Sequence, residues 1–155
     1  MTLSALAPAA SAPAQQSALP APAVHGIGRV AVHSDARDVA EAWAALEAQA
    51  PASPYQTRAF LLPWLDTIGR ARGLRPLFSL AYTAAGEPLG MLQLAIMNRG
   101  PLRLAEFAGG KDANFTFALV RPDLAPDAVG LRHWLAQTAR LAPEHIDLFA
   151  LVNQP

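Results

Sequence analysis

Residues 101–122, PLRLAEFAGGKDANFTFALVRP, set a polar Gly-Gly-Lys-Asp-Ala-Asn elbow between two apolar runs with the character of β-strands. The runs on either side, 101–107 and 115–120, carry the patterning of strands that pack against a core. Two adjacent glycines allow the backbone to turn sharply with positive φ and leave the main chain open to a ligand. Strand, elbow and strand together predict a sheet with a polar groove on its rim. The elbow by itself names no reaction.

Before the elbow, residues 77–82 and 89–97 are strand-like and flank the turn Ala84-Ala85-Gly86-Glu87, which predicts an antiparallel hairpin. Ahead of the hairpin, Thr57 is placed to cap a helix that sends Phe60, Leu61, Trp64, Leu65 and Ile68 to the core. Pro63 lies inside that helix. Proline lacks a donor and crowds the preceding turn, so a kink or a restart is expected there, with Gly69 and Gly73 marking the end. Pro51 and Pro54 bracket a loop. Earlier still, Ser34 or Asp35 offers a cap, and Val39, Ala42, Trp43, Leu46 and Ala50 recur at helical spacing. Ile27, Arg29, Ala31 and His33 alternate with Gly28, Val30, Val32 and Ser34 as a first strand.

Beyond the elbow, Pro126 and Asp127 begin a third helix with Val129, Leu131, Trp134, Leu135 and Thr138 on its core face, closed by Pro143. The apolar run 146–152 then predicts a strand well inside the sheet. This order gives an α/β (α+β) fold with a mixed, largely antiparallel sheet and helices on both faces. Residues 1–25 are rich in Ala, Pro and Ser and hold few large apolar groups to offset chain entropy, so they read as a disordered tail before a domain at 26–155.

Composition excludes several function classes. The 155-residue chain balances 12 basic against 12 acidic side chains and has no Lys/Arg run, so it lacks the footprint of a nucleic-acid or anionic-membrane binder. Cysteine is absent, which removes disulfides and thiolate chemistry and agrees with a reducing compartment. The apolar run 89–97 is far shorter than the roughly 20 residues of a membrane span. The first two dozen residues carry no Lys or Arg and are broken by Pro8 and Pro13, unlike a secretory leader. A cytoplasmic location is expected. The four histidines are scattered without metal-ligand spacing, so no metal is expected.

Trp43, the Ser53-Pro-Tyr-Gln-Thr57 segment, Trp64, the Gly-Glu-Pro-Leu-Gly90 turn and the Phe107 to Phe117 elbow, in this order, resemble the first half of CelD/BcsL-type acetyltransferases. These are FemAB-related members of the Gcn5-related N-acetyltransferase (GNAT) superfamily, built from two acetyltransferase-like halves. The resemblance covers about residues 26–155. It implies an acyl-CoA N-acyltransferase-like half-domain, with acetyl-CoA or another acyl-CoA as co-substrate and a small-molecule or polymer-precursor acceptor bearing an amine or hydroxyl. It also implies that most of the coenzyme site belongs to a second half, lacking here, so that a second GNAT-like half or a homo-oligomer is the expected partner. The family's Gln/Arg-x-x-Gly-x-Gly/Ala phosphate loop is absent from this sequence. The third helix instead follows Asp123-Leu-Ala-Pro-Asp127, whose carboxylates repel phosphate.

Glu106 is the candidate catalytic group, since a carboxylate buried on a strand has its pKa raised toward that of a base able to accept an amine proton. The alternative is a rim carboxylate paired with Arg103 or Arg99. Gly109, Gly110, Lys111, Asp112 and Asn114 are candidates for binding a polar acceptor, because donors, acceptors and charge within a few residues orient a ligand. The alternative is a solvated turn. Tyr55 and Gln56, ahead of the second helix, are further acceptor-binding candidates by the resemblance, with packing and capping as the other reading. Two functions remain in view: an acyltransferase supplying its acceptor side, or a non-catalytic binding or assembly module, including an inactive remnant of such an enzyme.

Overall fold

The computed structural model describes residues 26–123 and 126–152; the segment read as a tail lies outside them. Strands β1 (Arg29–His33), β2 (Arg75–Tyr82), β3 (Pro88–Arg99), β4 (Leu102–Phe107), β5 (Leu119–Val120) and β6 (Leu148–Ala150) form one sheet. Its order is β1-β2-β3-β4-β6, with β5 also paired to β3. All pairs are antiparallel except β4 with β6. Helices α1 (Ala40–Gln49), α2 (Arg58–Trp64) and α3 (Ala128–Leu141) cover the sheet. This is the mixed α/β architecture that the sequence predicts.

Side-chain alternation along β2 and β3 builds a core on each face of the sheet. Phe78, Leu80, Met91 and Ala95 meet Trp43 and Leu46 of α1 and Leu61 and Trp64 of α2. Leu77, Ala81, Leu92, Leu94 and Ile96 pack with Trp134 of α3 on the other face. Burial on both faces explains why β3 reads as a nearly unbroken apolar run. Gly90 is needed at its start. A Cβ there would lie 2.8 Å from the Leu119 carbonyl oxygen and 3.1 Å from the Trp134 ring, so only glycine admits both β5 and α3 so close to β3.

β4 and β5 lie along the same edge of β3, opposite Leu94 to Arg99 and opposite Gly90 and Met91 respectively. They run in one direction, as a single strand interrupted by an excursion at 108–118 that carries the elbow. Ala108 N–H donates to the Gln93 carbonyl at 2.9 Å, the last rung before the chain leaves. The expected strand at 115–120 is therefore shorter, with Leu119–Val120 alone paired. Its first part is held by a side chain instead: Gln56 Nε2 donates to the Phe115 carbonyl at 3.1 Å.

Pro63 does not break its helix. Instead α2 passes into a π-helical turn, Leu65–Gly69, in which Arg70 N–H donates to the Leu65 carbonyl five residues back. The wider turn shifts the buried face of the helix, so Ile68, expected in the core, is exposed. Gly69, expected at the helix end, is buried inside it, and Gly73, with φ of 66°, lies beyond its last turn.

Two further expectations are corrected. Val129 and Leu131 of α3 are exposed, because the buried stripe is Gly130, Trp134 and Thr138. That stripe is fixed by hydrogen bonds: Trp134 Nε1 donates to Ser79 Oγ at 2.9 Å, Ser79 and Thr138 hydroxyls meet at 2.6 Å, and Thr138 Oγ1 donates to the Trp134 carbonyl at 2.9 Å. The last strand lies at the sheet edge rather than inside it. Phe149 and Leu151 pack toward the α3 side, whereas Leu148 is 53% exposed, so one covered face suffices to make the run apolar.

Candidate functional site

The elbow forms where β4 leaves the sheet. Gly109 has φ of 100°, Gly110 has φ of 48°, and Gly110–Asp112 makes one 3-10 turn. A Cβ on Gly109 would also stand 3.0 Å from that of Ala113. Gly109→Ala is expected to lose about 1–3 kcal/mol, since strained backbone and contact add; urea denaturation measures it. A Cβ built on Gly110 lies 3.5 Å from Glu106 Oε1, so the elbow backbone passes directly beside that carboxylate.

Glu106 stands opposite Ala95 on the α1/α2 face of the sheet and is half-buried. Burial pushes its carboxyl above the ordinary value, while Arg72 and then Arg99 pull it back. Asp112 closes the other side. Its Oδ2 accepts from Trp64 Nε1 at 3.1 Å and from Arg72 Nη1 at 3.0 Å. The indole hydrogen bond foremost, with Arg72 and Lys111, holds Asp112 below the usual carboxylate range. One carboxyl is thus pushed up and the other held down around a shared arginine. Carboxyls whose surroundings push their pKa values apart are one arrangement that acid/base sites use.

Four sequence candidates, Glu106, Gly109, Gly110 and Asp112, are brought together here. Lys111 and Asn114 stand exposed on the same elbow. Trp64 and Arg72 escaped sequence reasoning as site residues. Trp64 reads as an apolar helix position, and nothing in the spacing of Arg70, Arg72 and Arg75 tells which one turns to the elbow. Arg103, the other proposed partner of Glu106, lies 3.7 Å from Glu144 instead.

Gln56 is buried and engaged at both ends of its carboxamide. Oε1 accepts from Ser53 N at 3.0 Å and Ser53 Oγ at 2.7 Å, while Nε2 holds Phe115. Its backbone carbonyl also accepts from Trp43 Nε1 at 3.1 Å and Gln93 Nε2 at 3.2 Å. These bonds tie the elbow excursion to α1 and β3. Tyr55 packs edge-on against Phe60 with ring centres 5.2 Å apart. Gln93 is buried, and its Oε1 has no hydrogen-bond partner among the described residues.

No family model, curated protein or solved structure matches this chain.

Carboxylates accept from backbone N–H groups at the starts of α2 and α3 and in the 3-10 turn ahead of α1, whose own N-cap, Val39, makes no side-chain bond. Asp35 accepts from Arg37 N at 2.9 Å in the 3-10 turn leading into α1, and Glu47 accepts from Arg58 N at α2. At α3, Asp127 accepts from Val129 N at 3.0 Å and Gly130 N at 2.8 Å. A pyrophosphate binds helix starts through free N–H groups and a positive end, both of which these carboxylates remove. The starts of α2 and α3 thus do not offer a pyrophosphate free N–H groups and an uncompensated positive end. Among them, no group of three or more His, Cys, Asp or Glu is placed to hold a metal ion. No described helix is long and apolar enough to cross a membrane.

A cavity of about 580 Å³ lies elsewhere, between the start of α1 and the π-turn, and no residue of the elbow lines it.

Proposed function

We propose that this chain is the acceptor-binding side of a GNAT-like acyltransferase, with Glu106 as the group that takes a proton from an amine acceptor. The observation that carries this reading is the half-buried Glu106 carboxyl, raised by burial, beside the Gly110 backbone. A carboxylate so placed accepts an N–H proton while the exposed Lys111 and Asn114 hold polar groups of the acceptor. The acyl donor's phosphates are held outside this chain, by a second GNAT-like half or another subunit, a reading supported by the carboxylates that occupy the starts of α2 and α3. A cytoplasmic setting is part of the same reading.

The test is NMR titration of the chain with a panel of primary amines and amino sugars. Shifts centred on Gly109, Gly110 and Glu106 are expected, and Glu106→Gln should abolish them. Absence of any amine-induced shift at the elbow sinks the reading. The same variant carries a stability prediction. A folded-state carboxyl pKa above the unfolded value means stability falls as pH rises from the unfolded pKa through the folded one. Glu106→Gln should therefore flatten this fall, leaving the variant at least as stable as the parent at neutral pH, as read by thermal melts at several pH values.

A second reading, an assembly module, is favoured by the β6 edge. Leu102 and Leu148 are 47% and 53% exposed beside it, and among the described residues no strand pairs with the outer side of β6. An apolar open edge recruits another strand. Concentration-dependent dimerisation is expected in sedimentation velocity, and Leu148→Lys should remove it. A parent chain that stays monomeric throughout would count against assembly through this edge.

A further inference from the structure

We propose that the groove between the start of α1 and the π-turn binds a small monocarboxylate with an apolar body. The cavity of about 580 Å³ is floored by Leu62, Leu65, Pro76 and Phe78, and Arg37 and Arg70 stand among its lining residues. That volume falls within the roughly 300–1,000 Å³ of small-molecule sites, which are mostly apolar with a few placed polar groups. A second cavity of about 420 Å³ shares Leu65, Asp66, Arg70 and Pro76 and continues past Gly73, so the groove admits a longer body at that end.

The wall of this groove is the π-turn itself. Such turns are rare and concentrate at functional sites. Here it supplies Leu65 and Asp66 to the lining and is followed at once by Arg70. The turn also leaves Ile68 outside the core, so it is not explained by packing of that side chain.

The two arginines differ in availability. Arg37 is locked, with Nε 3.0 Å from both Asp35 carboxylate oxygens and a further bond from Nη2. Arg70 makes one contact with Asp66, at 3.3 Å, between side chains that are 78% and 74% exposed. A pair this exposed contributes little net stability, so the Arg70 guanidinium turns to a ligand carboxylate at small cost. Its planar fork offers that carboxylate two parallel N–H donors. Leu62 and Pro76, the partly exposed members of the apolar floor, then select against small hydrophilic anions, which leave them in contact with water.

Octanoate is the probe, titrated into the full chain by calorimetry, with amide shifts of Leu65 and Asp66 locating the site. Saturable binding is expected. Arg70→Gln, a surface change whose fold circular dichroism checks, should weaken it about tenfold, the loss of a charge-assisted contact. Asp66→Asn should tighten it by removing the competing carboxylate, and 1-octanol should bind about tenfold more weakly than octanoate for lack of the anion. The proposal is overturned by no saturable octanoate binding, by equal binding of octanol, or by Arg70→Gln binding as the parent does. The groove contains none of the elbow's residues, so either result leaves the reading of Glu106 to its own test.

Discussion

Trp134→Ala should lower the unfolding free energy by about 3–5 kcal/mol, the range for removing a buried aromatic from a packed core. Trp134 is completely buried and packs in the cluster of β2, β3 and α3 that includes Leu77, Leu92 and Leu94. Its indole N–H is also the outer donor of a closed chain. Thr138 gives its proton to the Trp134 carbonyl, so the proton between the two hydroxyls belongs to Ser79, whose oxygen accepts from the indole. Trp134→Phe separates the two contributions. It keeps most of the apolar volume but leaves Ser79 Oγ without its donor, and should cost only about 1–3 kcal/mol. Urea denaturation of the two variants in parallel measures both. Equal losses would show that the hydrogen-bond chain, not the ring's volume, dominates at this site.

Gln56→Leu is expected to cost about 2–4 kcal/mol, because the Phe115 carbonyl and Ser53 N–H lose partners in bonds that are only part-buried, at about 1–2 kcal/mol each, the lower part of the range for an unsatisfied group. The loss should be local as well as global. With Gln56 Nε2 gone, the excursion keeps its bonds near Ala108, at Asp112, from Thr116 to the Val152 carbonyl and at β5, but loses the tether at the Phe115 carbonyl. Amide exchange at Ala113 and Thr116 should accelerate more than at Leu94 or Leu80 in the sheet centre. A uniform acceleration across both groups would mean that Gln56 supports the whole fold rather than the elbow.

Much of the architecture was legible because period-two and period-3.6 patterns report directly which side chains are buried. The hairpin of β2 and β3 and the α1 stripe of Trp43 and Leu46 arise from such local rules, whereas Pro126, expected in the first turn of α3, lies ahead of its N-cap Asp127. The features that escaped depend on distant partners. Pro63 announces a disturbed helix, but whether it kinks or widens into a π-turn depends on which carbonyls find donors further along. Residues 115–118 look like strand because Phe and Thr favour strands, yet a glutamine 59 positions away takes the Phe115 carbonyl. An apolar run such as 146–152 reads alike with one face covered or two, so edge and centre could not be told apart.

The candidate site was half legible for the same reason. Glu106 is conspicuous as a charge among apolar strand residues, and the double glycine marks the elbow. Arg72 and Trp64 reach the elbow only through the path of α2 and its π-turn, and Trp64 spends its apolar area on the core while its N–H serves Asp112. An amphipathic aromatic of this kind has two roles that one hydropathy value cannot show.

The interruption between β4 and β5 makes the elbow a module in the combinatorial sense. The strand departs beside Gln93 and rejoins opposite Met91, two residues along β3 and so about 7 Å apart at the usual strand rise. A loop with its ends this close can grow, shrink or be exchanged while both anchors keep their register. Doubling its length adds only about 0.6 kcal/mol of closure entropy. The chain between residues 109 and 117 can therefore change while Ala108 and Ala118, which belong to the two cores, stay in place.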